Sequence, residues 1–382
     1  MTGRSIAILL FLSALALGVF LFKTNSIKLD SRPLGFIGTP AVEEELKQLE
    51  NPPTVVKAVY ATSWSMATPS NLGHLLDLID TTELNAIVID IKDYSGQVAY
   101  DTNIQALEDY GAEDIRIKDI NSLIKDLHNR NVYVIGRVTV FQDPILAKAR
   151  PDLAIKNRAG ATWLDHKSLA WVDPASQEVW DYNIAIAGDA LGRGFDEINF
   201  DYIRFPSDGN VDLLVYPVYD KDLREKQEII RDFFTYLRAG LEGEKISADL
   251  FGQTTFQMDD MGIGQMIEDA FIHFDFVSPM VYPSHYAAGV GGYNNPALYP
   301  YEIVKYSLDE AIRRRGALAL QDPEVELAEL RPWLQDFDLG AIYTGAMIRE
   351  EMRATEDAAG ENFRGWMLWD PSNVYTSAAL NP

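Results

Sequence analysis

Residues 197–206 read EINFDYIRFP, and the alternation within this stretch decides the fold class of the chain. Apolar and polar side chains alternate along this stretch. The apolar positions are Ile198, Phe200 and Tyr202, and the polar positions between them are Glu197, Asn199 and Asp201. Successive side chains of a β-strand point to opposite faces. The stretch therefore predicts a strand with one face packed on apolar neighbours and one polar face. A strand of a closed barrel, apolar toward its helices and polar toward the lumen, has this character.

Similar buried runs recur along the chain and alternate with helical patterns. The predicted strands are Val55–Thr62, Asn85–Asp93, Val132–Phe141, Glu197–Pro206, Lys245–Gly252, Phe274–Tyr282 and Gly365–Trp369, with a weaker eighth near Arg331–Leu339. Repeated strand, helix, strand order predicts a parallel sheet, and eight strands predict a (β/α)8 barrel with loop insertions after the third and sixth strands. An open doubly wound sheet is the alternative, although no glycine-rich phosphate loop follows the first strand.

The composition excludes several classes of protein. Of 382 residues, 47% are hydrophobic and 24% are charged, which is ordinary for a globular chain. Lys and Arg number 33 against 57 Asp and Glu, and a net charge of −24 argues against binding to nucleic acid. Cysteine is absent, so thiolate chemistry and disulfides are excluded. The five histidines form no metal-binding motif. We expect neither a metal nor a cofactor.

The first residues differ from the rest of the chain. An apolar run extends from Ile6 to Phe22 between Arg4 and Lys23. We predict a signal anchor, or a cleaved signal peptide, over residues 1–25, a linker over 26–53 and the barrel over 54–382. These assignments predict a monomeric barrel outside the cytoplasm, held by one membrane span or secreted if the segment is cleaved.

Parity places charged side chains inside the predicted barrel. Asp90 and Lys92 face inward from the second strand, Arg137 from the third, Asp201 from the fourth and Asp249 from the fifth. Buried charges are costly unless they are paired or face a wet cleft, and the carboxyl end of a barrel provides such a cleft. Two interpretations stay open: a catalytic cluster, and a structural network of ion pairs.

Carboxylates and aromatic rings together point to carbohydrate chemistry. Glycosidic cleavage needs one protonated and one ionised carboxyl group, and proximity separates the pKa values of such a pair. Tyr and Trp offer flat apolar faces with hydrogen-bonding tips, which suit sugar rings. We predict that Trp64 and Trp369 are binding platforms, and that Tyr282 and His285 line the mouth after the sixth strand.

Several motifs of this chain resemble those of a family of glycosyl hydrolase-like domains, DUF4015. The runs are IDIKDYSG at 89–96, Arg137 with FQDP at 141–144, FDYIRFP at 200–206, ADLFG at 248–252 with IGQ at 263–265, SPMVYPSHY at 278–286 and WMLWD at 366–370. The resemblance extends in order from about residue 55 to the C-terminus. It implies a TIM-barrel, glycosidase-like fold on an exported or membrane-anchored bacterial protein.

A more distant similarity to chitinase-like barrels concerns the fourth strand. Asp196, Asn199 and Asp201 occupy the three Asp-like positions of that family, but Ile203 stands where its acidic Glu lies. The substrate-assisted mechanism of that family therefore does not carry over. Barrel glycosidases often take one carboxylate from the fourth strand and one from the fifth. That analogy nominates Asp201 as nucleophile or base and Asp249 as acid.

Three functions follow from this reading. The first is a glycoside hydrolase acting on a cell-envelope or extracellular polysaccharide, with Asp90 tuning the pKa values of its neighbours or binding a sugar hydroxyl. Lys92, Arg137 and Arg204 then steady the carboxylates or bind the substrate. The second is a noncatalytic carbohydrate-binding barrel, which the absent strand-four Glu favours. The third is an envelope assembly protein that uses the barrel as a docking surface.

Overall fold

Eight parallel strands close into a barrel in the computed structural model, which describes residues 47–382. The strands are β1 Val56–Ala61, β2 Ala86–Lys92, β3 Tyr133–Thr139, β4 Glu197–Asp201, β5 Ile246–Phe251, β6 Phe276–Met280, β7 in two segments, Glu329–Leu330 and Trp333–Gln335, and β8 Gly365–Trp369. Each strand pairs with the next, and β8 pairs with β1. The predicted (β/α)8 barrel is therefore confirmed.

Helices surround the strands. Within residues 47–382 they are α1 Ser63–Ala67, α2 Pro69–Thr81, α3 Gln105–Tyr110, α4 Ile120–His128, α5 Pro144–Ala149, α6 Gln177–Gly192, α7 Lys226–Gly240, α8 Ile267–His273, α9 Pro300–Gln321 and α10 Gly345–Ala359. Their ends follow ordinary capping chemistry: Asp119 accepts from the Ser122 backbone N–H at 2.9 Å before α4, for example. The helices cover the apolar outer face of the sheet.

Two separate apolar cores result from the alternation along the strands. The outer core lies between sheet and helices and includes Ile87, Ile89, Ile198 and Phe200. The lumen core fills the lower barrel and consists of Val56, Ala58, Tyr60, Ala86, Val88, Tyr133, Ile135, Tyr282, Trp333 and Met367. Because the lumen is packed in this way, only its carboxyl end is open to a ligand.

The fourth strand is shorter than predicted, because its backbone turns at Tyr202. β4 ends at Asp201, and Tyr202 has a φ of 53°, in the left-handed region. The Asp201 carboxylate accepts from the Tyr202 backbone N–H at 2.6 Å, which holds this turn. A left-handed residue cannot continue a strand. The chain leaves the sheet here rather than at Pro206.

Long loops extend the mouth of the barrel. Insertions follow β3 and β6, as predicted, and a third follows β4, over residues 202–225. The loops after β3 and β4 pair with each other, since Lys156 and Val215 exchange backbone hydrogen bonds of 2.9 and 2.7 Å. The two loops thus form one wall beside the ends of their strands.

The base of the barrel is closed by the chain that enters it. Leu49 packs against the lumen core, and its backbone N–H donates to Asp196 at 2.5 Å. The other end of the described chain also lies at the base, where Glu83 and Asn381 exchange hydrogen bonds just before β2. The signal anchor predicted for residues 1–25 and most of the predicted linker lie outside the described residues. Among residues 47–382, no helix is long and apolar enough to cross a membrane.

Candidate active site

A cleft of about 240 Å³ lies at the carboxyl end of the barrel. Its lining comes from six strands, β3 to β8, and from the loops that follow them. The lining residues are Arg137, Lys167, Asp201, Tyr202, Arg204, Asp249, Phe251, Met280, Tyr282, His285, Trp333 and Trp369. Its position matches that of active sites in barrel enzymes.

Arg137 is the centre of the charged groups beneath the cleft. Its Nη1 donates to the Asp90 carboxylate at 2.6 Å, its Nη2 donates to Asp201, and its Nε lies 3.7 Å from the Asp249 carboxylate. Burial lowers the pKa of Arg137, but the charges of Asp90 and Asp201 outweigh it and hold that pKa well above its usual range. One permanent cation therefore faces three carboxyl groups.

Asp249 is a carboxyl group of the cleft lining that is removed from water. Its side chain is buried, and one oxygen accepts from Asn199 at 2.8 Å and from the Trp333 indole N–H at 2.7 Å. Burial, followed by the negative charge of Asp201, raises the pKa of Asp249 to about 8, against the effects of Arg137 and the two donors. Asp249 therefore carries a proton at neutral pH.

Asp90 contacts the same Arg137 guanidinium but lies below the cleft. It accepts from the Tyr60 hydroxyl at 2.5 Å in addition to Arg137. Burial raises its pKa, and the nearby Arg137 and the Tyr60 hydrogen bond oppose that rise. Asp90 is not among the residues that line the cleft, and its contact with the cluster is through Arg137.

Aromatic rings form one side of the cleft. The Trp369 ring stacks on Tyr60 with centroids 4.0 Å apart, and meets Trp333 edge-on at 5.6 Å. Arg137 lies 5.2 Å from the Trp369 ring centre. The Trp369 side chain is therefore held from several directions at the edge of the charged cluster, as a platform for a sugar ring requires.

Tyr282 and His285 line the mouth after β6. Burial, and next the charges of Asp249 and Asp201, raise the pKa of Tyr282 well above its usual value, so its hydroxyl stays neutral. Burial lowers the pKa of His285, which keeps this imidazole uncharged at neutral pH. Both groups offer hydrogen bonds without adding charge to the cleft.

The structure corrects the prediction that Lys92 faces the lumen and binds substrate. The register between β2 and β3 shifts between Asp90 and Lys92, so the two side chains no longer share a face. The Lys92 ammonium lies 2.7 Å from Asp143 before α5 and donates to Asn183 of α6 at 2.9 Å. It is fully buried on the helix side of the sheet.

Three other residues singled out in the sequence lie away from the cleft. Trp64 is 59% exposed on α1, with Arg116 over its ring at 4.5 Å, and is not part of the lining. Asp196 lies at the base, where it accepts from backbone N–H groups of Leu49 and Val134. Ile203, which stands at the position of the acidic Glu of chitinase-like barrels, is buried in the outer core and not in the cleft.

Five lining residues had no part in the predicted site: Lys167, Tyr202, Phe251, Met280 and Trp333. Trp333 lies in the short, weakly predicted seventh strand, and Phe251 and Met280 are the last residues of β5 and β6. Lys167 lies on a loop that no periodic pattern places. Tyr202 follows the apolar parity of β4, but its left-handed backbone turns it toward Trp171 and the cleft. Phe251 shares the inward parity of Asp249, which could have indicated it, whereas for Trp333 and Tyr202 the available signal was their aromatic type.

Taken together, the cleft has a protonated carboxyl group, a second carboxylate, a fixed cation and a stacking surface. Such a set can donate a proton to an oxygen atom and stabilise positive charge beside it. Among residues 47–382, no group of three His, Asp or Glu side chains is placed to hold a metal ion. The chemistry that the described side chains themselves support is acid–base or nucleophilic.

Solved structures share this architecture. The glycoside hydrolase domain of PgaB (BpsB) from Bordetella bronchiseptica is 16% identical, with a TM-score of 0.59 over 84% of this chain and 95% of that one. The α-galactosidase TtGalA from Thermus thermophilus is 12% identical, with a TM-score of 0.51 over 87% of this chain and 61% of that one. At these identities the likeness shows the fold alone.

A nearer relative in sequence is a hypothetical protein from Ruminiclostridium thermocellum. It is 40% identical over 50% of this chain and 96% of its own length, with a TM-score of 0.47. No curated protein matches the chain. The family model described as "Putative glycosyl hydrolase domain", DUF4015, matches residues 58–375, from the first strand to beyond the last. The chain therefore belongs to this family of glycosyl hydrolase-like barrels.

Proposed function

We propose that this protein hydrolyses glycosidic bonds of a polysaccharide at the mouth of its barrel. The observation that carries the proposal is the pair Asp249 and Asp201. The pKa of Asp249 is raised to about 8 by burial and by Asp201, and both groups line one cleft. A protonated and an ionised carboxyl group on neighbouring strands are the two components of glycoside hydrolysis.

Asp249 is the general acid in this mechanism. It protonates the glycosidic oxygen as the bond to the leaving sugar breaks. Asp201 is the nucleophile or the base that activates water on the sugar ring. Arg137 holds Asp201 in place through its Nη2 atom, and Asn199 and Trp333 hold Asp249. The Asp201 carboxylate, which lines the cleft, can stabilise the positive charge that develops on the sugar.

The proposal includes binding of the sugar against Trp369, with Tyr282 and His285 donating or accepting hydrogen bonds at its hydroxyl groups. All three residues line the cleft with the two carboxyl groups. Aromatic stacking orients a sugar ring without adding charge. The proposed substrate is a polysaccharide of the cell envelope or extracellular matrix. The proposal also places the barrel outside the cytoplasm. The apolar run from Ile6 to Phe22 supports this location.

The test begins with the full chain and a panel of envelope, matrix and plant polysaccharides, with release of new reducing ends as the readout. Asp201→Asn and Asp249→Asn are measured beside the exposed control Asp77→Asn. We expect both cleft variants to lose at least a hundredfold in rate and the control to keep full turnover. Full turnover by Asp201→Asn would contradict the assignment. NMR of the first product anomer then separates the nucleophile role of Asp201 from the base role.

A noncatalytic carbohydrate-binding barrel is the second candidate. It is favoured by the ion pair of Asp201 with Arg137, which resembles a structural network as much as a reactive one. This function predicts glycan binding that survives Asp201→Asn, with no release of reducing ends from any polymer. Calorimetric binding of the panel, measured for wild type and Asp201→Asn, distinguishes the two functions.

A further inference from the structure

Arg204 is a buried cation without a carboxylate partner. It is 7% exposed, lines the cleft, and lies three residues after Asp201. Among residues 47–382, no Asp or Glu oxygen lies within ion-pair distance of its guanidinium, although most arginines of this acidic chain are paired. A buried arginine is ordinarily paired, because an isolated buried charge is costly.

One edge of the Arg204 guanidinium is unused. Nη1 donates to the Phe205 carbonyl at 3.0 Å and to the Ser207 hydroxyl at 3.1 Å. Within the described residues, Nε and Nη2 donate no hydrogen bond, and neither is sealed from solvent as are the unpartnered atoms of Arg331. These two N–H groups form the side of the fork that binds a carboxylate with two parallel hydrogen bonds.

The guanidinium is held rigidly by aromatic rings. Phe251, Trp171 and Tyr202 lie 4.6, 4.9 and 5.4 Å from its carbon. Trp171 is fixed in turn by its indole N–H, which donates to Asp165 at 3.1 Å. Such packing orients the cation without consuming its donors, so the free edge is already in place when a ligand arrives.

A second cation lines the same cleft from the loop inserted after β3. Lys167 lies in a turn that Asp165 organises by accepting from the Lys167 and Leu169 backbone N–H groups at 2.8 and 2.9 Å. Within the described residues, its ammonium makes no ion pair. Asp165 therefore supports both the Trp171 ring, which packs on Arg204, and the turn that carries Lys167.

We propose that Arg204 and Lys167 form a subsite for the carboxylate of a uronic acid residue in the glycan that the cleft binds. This inference rests on the proposed function and names its substrate class. The planar free edge of Arg204 favours a carboxylate, and Lys167 supplies the second positive charge. Because the subsite adjoins Asp201, the acidic sugar lies at or next to the bond that is cleaved.

The test uses chemically matched polymers. Pectate, glucuronoxylan and hyaluronan are each assayed before and after reduction of their carboxylates to hydroxymethyl groups. For the full wild-type chain we expect kcat/KM on at least one native polymer to exceed that on its reduced form by about tenfold or more, as charge-assisted hydrogen bonds imply. Arg204→Gln and Lys167→Gln should each lower kcat/KM on the native polymer about tenfold more than on its reduced form, which removes most of this preference.

Lys167→Gln keeps the inference testable if Arg204→Gln does not fold, because the Lys167 ammonium packs on nothing that the fold needs. Lys221→Gln, on an exposed part of the loop after β4, is the matched control and should keep the full preference. Equal losses on native and reduced polymers would mean a structural role for Arg204 and would overturn the subsite. Equal turnover of both forms by wild type would overturn it as well.

Binding separates this inference from the proposed function. Oligogalacturonate and its carboxyl-reduced form are titrated into wild type, Lys167→Gln and Arg204→Gln. Charge-dependent binding that both variants weaken, without cleavage of any polymer, would support the subsite and overturn the hydrolase. Cleavage of neutral polymers without charge-dependent binding would support the hydrolase and overturn the subsite. Absence of both binding and cleavage would overturn both.

Discussion

The proton on Asp249 determines whether the cleft can donate to a leaving oxygen. Its pKa is raised to about 8 by burial and by Asp201. As pH rises through 8, Asp249 loses this proton and the acid form disappears. We therefore predict that kcat/KM on a confirmed glycan falls tenfold per pH unit above about 8. A pH–rate profile of the full chain measures this limb.

Trp333→Phe is the matched variant for this profile. The Trp333 indole N–H donates to the Asp249 carboxylate, and that hydrogen bond lowers the pKa of Asp249. Removing the donor should move the alkaline limb to higher pH while the ring still fills the lumen core. A limb at the same pH in both proteins would show that another group controls it.

Lys92 illustrates a charged residue that acts only through stability. Its ammonium and the Asp143 carboxylate are both fully buried, 2.7 Å apart. Lys92→Met leaves the charge of Asp143 without a partner, so we predict a loss of about 3 kcal/mol in the free energy of unfolding. Denaturant titration measures the loss, and KM of the folded protein should not change.

The double variant Lys92→Met with Asp143→Asn checks the cause of that loss. Asn keeps an oxygen for the Leu146 N–H at the start of α5 but carries no charge. Part of the lost stability should return. If Lys92→Met instead raised KM while stability stayed normal, the prediction that Lys92 contacts the substrate would be supported.

At the scale of residues, parity alone was enough to place Asp90, Arg137, Asp201 and Asp249 on the inner face of the barrel. Parity gave the wrong face for Lys92, because a single register shift in β2 moves its side chain to the helix side of the sheet. Alternation shows which face a regular strand presents. It does not show where a bulge interrupts the regularity.

Among the elements, β8 depends on a glycine at the seam where the barrel closes. Gly365 has a φ of 103°, and a Cβ built there would lie 1.7 Å from the Val56 carbonyl oxygen of β1. Gly365→Ala must therefore separate these paired strands. We predict a loss of about 3 kcal/mol or more in the free energy of unfolding, measured by denaturant titration.

Gly73→Ala is the corresponding control in α2. Nothing lies within 4 Å of a Cβ at this position, and its backbone is helical. Alanine should stabilise the protein by about 1 kcal/mol, since glycine is a poor helix former. A similar loss in both variants would show that strain at the seam is not the cause.

Regular elements were easier to predict than the segments between them. β8 begins and ends where its apolar run does, at Gly365 and Trp369. β7 was harder, because its two short segments are separated by Pro332, which removes a backbone donor. The loop carrying Lys167 has no period, so its arrival in the cleft depends on tertiary contacts that a linear pattern does not contain.

The whole molecule carries a large excess of negative charge. With 33 Lys and Arg against 57 Asp and Glu, like charges repel one another throughout the folded chain. Salt shortens the range of this repulsion from roughly 30 Å at 0.01 M to about 8 Å at 0.15 M. We predict that Tm rises by about 2 °C or more over this range of NaCl, measured by calorimetry.

Glycerol at matched osmolality is the control for this measurement, since it does not screen charge. A Tm that falls with added NaCl would mean that the many surface ion pairs outweigh the net repulsion. The same excess charge makes unpaired cations in the cleft informative. Arg204 and Lys167 stand out only against the composition of the entire chain.

Both ends of the described chain meet the barrel at its base. Leu49 closes the floor of the lumen, and Asn381 is bonded to Glu83 beside it, whereas the cleft opens at the opposite end. A protein attached to a bead, an electrode or a fusion partner through either end would therefore stand with its mouth outward. Immobilisation would leave access by a long polymer unobstructed.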